Sequence, residues 1–281
     1  MIGIAIGVLS ATVWGVAGVC GSLAARMVGP QRAIAWAMVL GMALAVPLAL
    51  ASGAPRRVDA IAGLWVLLVA ACMLGGLVCV YAAVRRGSIS VVAPISATYG
   101  GVGAVIAILA GEPVTALAVG SLALAVAGAF LAAMARGDAP GQTYSDQRTA
   151  ALLAGGAALL WGLQLWAGGR IEGDIGASWL VAASRMIGVL VVALPLLARR
   201  QLAIPRAAIP YVLVAGCGEV CGFTLYLVDS RYGIAQAAVL TGQYGTVAAL
   251  IGVLVLKERL RGIQYAGLAL IVLAIVGLSL A

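Results

Sequence analysis

Two charged side chains stand where charge is expensive. Glu219 lies near the middle of an apolar stretch at 208–228, and Arg185 lies inside another at 176–197. A charged residue at the centre of a bilayer costs ~2.5–3.5 kcal/mol even on lenient insertion scales, so each needs a partner, a proton or a ligand to offset it. Each sits nine residues from the same edge of its stretch, which at ~1.5 Å per residue puts both about 14 Å deep. Equal depth leaves two readings open. One is a static ion pair joining adjacent helices. The other is a binding or coupling site, in which the acid takes a proton or the cationic part of a solute and the guanidinium pairs with the acid or with a solute carboxylate. The helical neighbours of Glu219 are Ala215, Gly216, Gly222, Phe223 and Tyr226. They offer small residues that leave room for a ligand and two rings that could stack on it.

Further polar and aromatic residues occupy the apolar stretches. Thr98 and Tyr99 in one stretch match Gln243 and Tyr244 in another, a pseudo-symmetric set that reads as cavity lining. Interhelical hydrogen bonding, worth ~0.6 kcal/mol on average, is the competing account. Trp14 and Trp161 lie about halfway along their stretches, away from the interface where tryptophan usually anchors, and with Gln164 they read as lining. Tyr81 and Tyr226 sit nearer stretch ends, the place of an interfacial belt. Pro47 and Pro195 fall at matching points, and with Pro94 they are hinge candidates, since proline removes a backbone hydrogen bond. Glu112 and Glu258 stand at helix starts, where a carboxylate meets the positive end of the dipole. The chain has no histidine, which excludes a His-based zinc site, general base or haem ligand. Its five cysteines fall inside apolar stretches as small apolar residues. No catalytic residue, metal or cofactor is expected, and the chain reads as no enzyme.

Ten helices must position these residues. Only 9% of the 281 residues are charged and 64% are hydrophobic, too little charge for a water-facing surface. Ten largely uncharged stretches fit the ~20 residues that span a bilayer: 2–24, 33–51, 60–84, 89–110, 114–134, 149–169, 176–197, 208–228, 234–256 and 262–280. The first lacks the basic flank of a signal peptide and recurs internally around Trp161, so it reads as a retained helix. The net charge of +8 sits at helix ends rather than in a patch, so no nucleic-acid partner is implied.

The stretches form two copies about 146 residues apart. Trp14-Gly15 recurs as Trp161-Gly162, Gly41 as Gly188, Pro47 as Pro195, Cys72 as Cys217, Tyr81 as Tyr226, and Tyr99-Gly100 as Tyr244-Gly245. Five crossings per copy is odd, so the copies have opposite orientation, the inverted repeat of alternating-access transporters. The organisation is a first repeat at 1–135, a polar linker at 136–148 and a second repeat at 149–281. The copies differ in polarity: Glu219 stands against Leu74, Arg185 against Met38 and Gln164 against Ala17. Twelve basic residues fall on the side opposite the termini and four on the terminus side, which predicts that both termini face outward.

Trp14-Gly15, Trp161-Gly162, the Gly111-Glu112-Pro113 turn and the matching Lys257-Glu258-Arg259-Leu260 turn make the chain resemble the drug/metabolite transporter superfamily, and within it the EamA-type ten-helix transporters. The resemblance covers nearly the whole chain. It implies an all-α integral membrane fold of ten transmembrane helices in two inverted five-helix repeats, with a cavity lined by the first, third, fourth, sixth, eighth and ninth helices. Small multidrug relatives place an essential glutamate in the first helix, whereas Leu9 to Gly18 holds no acid. The expected function is a secondary transporter, an exporter of small polar or amphipathic metabolites, with amino acids or amines favoured and proton coupling through Glu219. A neutral-solute or sugar carrier with a structural Glu219–Arg185 pair, or a non-transporting scaffold, are the alternatives. The expected partners are the lipid bilayer, a small-molecule substrate and protons, the oligomeric state is left open with a monomer among the options, and the expected location is a bacterial inner membrane.

Overall fold

The computed structural model describes residues 2–84, 86, 92, 95–133, 146–244, 246–247 and 262–280. Its helices are α1 (Ile2–Val28), α2 (Pro30–Ala51), α3 (Ala60–Val84), α4 (Tyr99–Leu109), α5 (Ala116–Ala133), α6 (Gln147–Ile175), α7 (Ala177–Gly188, continuing to Ala198), α8 (Ile209–Asp229), α9 (Ile234–Thr241) and α10 (Gly262–Ser279). Among the described residues there is no strand. Each helix falls on one predicted stretch, and six are long and apolar enough to cross a membrane.

Local chemistry sets the boundaries. The Asp146 carboxylate accepts from the Thr149 N–H at 3.0 Å and starts α6. Asp59 accepts from the Ala62 N–H at 2.7 Å at the start of α3; that bond, with Arg57 beside it, holds its carboxyl below the usual carboxylate range. Pro30 begins α2, where its missing N–H costs nothing. Gly29 and Gly176 turn the chain between the first two helices of each copy with φ of 85° and 95°, a conformation a Cβ would strain. The predicted sixth stretch ends at 169, but α6 runs on to Ile175. Its last two turns carry Arg170, Glu172 and Asp174, polar residues that hydropathy excludes but a helix leaving the hydrocarbon accepts.

Both proline expectations take definite form. Pro47 lies within an unbroken α2. Pro195 follows a π turn at Val189–Ala193, where the Leu194 N–H bonds back to the Val189 carbonyl, a widening next to a residue that cannot donate. Pro94 lies outside the described residues.

The stretches at 89–110 and 234–256 were expected as continuous helices, and the structure breaks each at the same point of its repeat. A turn at 97–98 precedes Tyr99, and a turn at 242–243 precedes Tyr244. Here α4 and α9 cross backbone to backbone: a Cβ on Gly100 would lie 2.6 Å from the Ala238 carbonyl oxygen and 3.1 Å from Gly242 Cα. Each break binds its own loose carbonyl, as hydrocarbon requires. Thr98 Oγ1 donates to the Ile95 carbonyl at 2.7 Å, and Gln243 Nε2 donates to the Val239 carbonyl at 3.2 Å.

Packing reproduces the duplication. α1 packs chiefly on α8 as α6 packs on α3, and α1 meets α9 as α6 meets α4; α2 pairs with α7, α4 with α9 and α5 with α10. Exchanging the two copies maps these pairings onto themselves, the signature of a pseudo-two-fold axis between inverted repeats. Residues equivalent by repeat therefore meet at the axis, as Met38 meets Arg185 and Tyr99 meets Tyr244.

The α4–α9 crossing yields a direct test. Gly100→Ala is expected to lower stability by about 1–3 kcal/mol, because a backbone carbonyl rather than a flexible side chain blocks the new methyl. Gly155→Ala, whose Cβ would meet nothing within 4 Å, is expected to leave the thermal unfolding midpoint in the same detergent unchanged or higher.

Candidate functional site

The two intramembrane charges meet. Arg185 on α7 is 1% exposed, and its Nη2 lies 3.5 Å from Glu219 Oε2 and 3.4 Å from the Glu219 carbonyl oxygen on α8. Its Nη1 lies 3.6 Å from the sulfurs of Met38 on α2 and Met73 on α3, and its Nε has no hydrogen-bond partner. Glycine admits the side chain: a Cβ on Gly41 would lie 3.4 Å from Arg185 Cδ and 3.3 Å from the Gly216 carbonyl oxygen. The pair is lopsided. The Arg185 side chain is 2% exposed and that of Glu219 is 41% exposed, so a sealed cation faces a half-exposed carboxylate. Tyr81 and Tyr99 lie within electrostatic reach of that carboxylate.

Aromatic rings line two sides of the same level. On one side Trp14 stacks on Phe223 at 6.2 Å between centroids, and Phe223 stacks on Tyr226 at 6.0 Å with an interplanar angle of 2°. On the other, Tyr99 meets Trp161 edge-on at 6.0 Å and Tyr244 at 5.8 Å. The tryptophans occupy equivalent seats in the opposite repeat. Trp14 fills the space a Cβ on Gly222 would need, and Trp161 does so at Gly76. Trp161 Nε1 donates to the Met73 carbonyl at 3.3 Å, while Trp14 Nε1 is buried without a partner.

Several sequence expectations change here. The small-residue face around Glu219 holds no free space, because Trp14 occupies the room at Gly222, and Ala37 and Leu40 of α2 occupy that at Gly216. Phe223 and Tyr226 are fully enclosed and form the back of the wall. Tyr226 is no interfacial belt residue: its hydroxyl donates to the Leu165 carbonyl at 2.6 Å, a bond that sequence position alone does not reveal. Thr98 and Gln243 spend their polar groups on the helix breaks, with Gln243 also donating to the Ala125 carbonyl at 3.3 Å. Gln164 is buried on α6 one turn beyond Trp161. Pro47 and Pro195 lie exposed on α2 and α7.

A second polar cluster, which sequence reasoning missed, ties the terminus side. Glu112 does not serve the helix that follows it; its carboxylate accepts from the Ile234 and Ala235 N–H groups at 3.1 Å and caps α9 of the other repeat. Glu258 lies outside the described residues. Arg57 bridges Asp59 at 2.6 Å and Asp174 at 3.3 Å, and Arg56 donates to the Gly173 carbonyl at 3.0 Å. The buried Glu172 carboxylate pairs with Arg231. Asp229, fully buried at the end of α8, has no partner on either oxygen. Hydropathy places these acids at stretch ends, where acids are unremarkable; only their packed surroundings distinguish them.

The lopsided pair predicts opposite costs for its two members. Glu219→Gln strands a buried guanidinium and is expected to lower stability by about 2–3 kcal/mol, less than for a fully buried pair because the acid is half open. Arg185→Met replaces the cation by an apolar chain between two methionines and is expected to stay within about 1 kcal/mol of the parent. Thermal midpoints of both variants in one detergent check the order.

Comparison with known proteins agrees with this architecture. The EamA-like transporter family profile matches residues 1–134 and 148–280. No curated protein matches the chain. A solved crystal structure shares the fold with a TM-score of 0.80 at 18% identity, covering 99% of this chain and 96% of that one. With a family match over both halves and the paired helices it implies, the chain belongs to the EamA-like transporter family, a membrane transporter of the drug/metabolite transporter type.

Proposed function

We propose that the protein is a secondary transporter that exports small polar or amphipathic metabolites, amino acids or amines before sugars, by rocking its two repeats about the axis between α2–α7 and α4–α9. The observation that carries this reading is the lopsided pair: a carboxylate 41% exposed beside a guanidinium 2% exposed. A half-exposed carboxylate with a sealed cation behind it can bind an ammonium or a proton, and aromatic rings such as Phe223, one turn along the helix, suit a cation or an apolar side chain. Breaks in both fourth helices of the repeats support a site at this depth, since interrupted helices build the binding sites of inverted-repeat transporters. Domain bounds of 1–135 and 149–281 about the linker 136–148 follow from this reading, as does a bacterial inner-membrane location with both termini outside. The polar contacts on the terminus side then close the extracytoplasmic gate in this conformation.

The test is a metabolite panel on proteoliposomes with imposed pH gradients. Amino acids or amines are expected to be taken up, with a rate that depends on the gradient, and Glu219→Gln is expected to weaken competition by cationic solutes about tenfold or more. Uptake of neutral sugars alone would favour a structural ion pair, and unchanged pH dependence and competition in Glu219→Gln would end the coupling role. For orientation, a single cysteine at Ser145 in a background without the five native cysteines is expected to react with an impermeant maleimide only after permeabilisation. Strong labelling in intact cells reverses the assignment.

A further inference from the structure

We propose that Asp229 is a proton-binding site of its own, distinct from the Arg185–Glu219 pair, and that its protonation state governs whether α1 stays sealed against α8 and α9 at the terminus side. The residue is 0% exposed and neither carboxylate oxygen has a hydrogen-bond partner. The other described acids of this side are engaged: Asp59 and Asp174 by Arg57, Glu172 by Arg231, and Glu112 by the α9 N-terminus. Asp229 is the exception.

Its surroundings fit an undissociated acid. The carboxyl group faces the glycines of α1: a Cβ on Gly7 would lie 2.6 Å from Oδ2, and one on Gly3 would lie 3.0 Å from Oδ1. Glycine at both places lets α1 close directly over the group. The same two glycines also face the Leu240 side chain, Tyr232 Cβ and the Gln236 amide. No cation faces it among the described residues. α1 carries no charged residue before Arg26, α9 carries no charged residue, and Arg231 is paired with Glu172 of α6. Tyr226, one turn back on α8, has its hydroxyl on Leu165, and Glu112 is spent on α9.

A metal cation would need a cage of several oxygens, and no group of three or more His, Cys, Asp or Glu side chains gathers among the described residues. A proton needs one oxygen. The neutral acid fits the closed gap, while an ionised one without a partner is drawn toward water and favours separation of α1 from α8. Closure would thus take up a proton and opening would release it. The assignment rests on the transporter reading only for its place in a cycle, and the test needs no substrate.

Infrared difference spectroscopy of the lipid-reconstituted full chain reads the carboxyl directly. At neutral pH the wild type is expected to show the carbonyl band of an undissociated carboxylic acid that shifts when the protein is made with carbon-13 carboxyl-labelled aspartate, and that disappears as the pH is raised. Asp229→Asn, isosteric with the neutral acid, is expected to lose the band. A band insensitive to the aspartate label, one that survives in Asp229→Asn, its absence at every pH, or one that never dissociates before unfolding overturns the proposal. If Asp229→Asn does not fold, the isotope experiment on the wild type decides. Loss of substrate transport with an intact aspartate band would count against the proposed function and leave this site standing.

Discussion

Apolar helices in a bilayer gain nothing from hiding apolar surface, since lipid is as apolar as their neighbours, so cohesion depends on how closely backbones can approach. Among the described residues, several interfaces meet that constraint with glycine. Gly100 lies against the α9 backbone at Ala238 and Gly242, Gly162 against Val102 and Gly103, and Gly128 against Gly267 and Ile271. Where glycine does not admit backbone it admits a ring, as Gly222 takes Trp14. The tryptophans are therefore packing elements, each seated on a glycine of the opposite repeat.

The pseudo-two-fold axis gives the polar asymmetry of the copies its meaning. Met38 and Arg185 occupy equivalent positions of α2 and α7, and because those helices pair across the axis they touch each other, 3.6 Å from sulfur to guanidinium nitrogen. One copy supplies a soft apolar wall and the other the charge that it encloses. A symmetric arrangement would place two arginines or two methionines face to face. The difference between the repeats puts a buried cation, Arg185, at the axis, and Glu219 on α8 meets it from a neighbouring helix.

Charge is distributed by depth. In the middle one described cation is sealed beside a half-exposed anion, whereas at the terminus side acids and arginines sit at helix ends, and Arg57–Asp174 and Glu112 on α9 reach between repeats. Contacts such as Glu112 on the α9 N-terminus join the halves without covalent or apolar bonds, and they can be exchanged for water when the halves move apart. That suits a gate. On the proposed reading, glycine packing would hold helix pairs together while these polar contacts part.

Much of this was legible in the residues themselves. Hydropathy fixed ten helices because the bilayer demands a set length of apolar residues, and duplicated landmarks fixed two inverted copies because an odd number of crossings reverses the chain. Depth along a helix also allowed the meeting of Arg185 with Glu219, since rise per residue is constant. Exposure was not legible: helical spacing around Glu219 suggested open space at Gly216 and Gly222, and the structure fills it with Leu40 and Trp14. The partners of Glu112, Glu172 and Tyr226 and the isolation of Asp229 were equally out of reach. Sequence determines periodicity and depth along one helix, which are local; which atoms face each other across two helices depends on azimuth and crossing, which only the packed bundle decides.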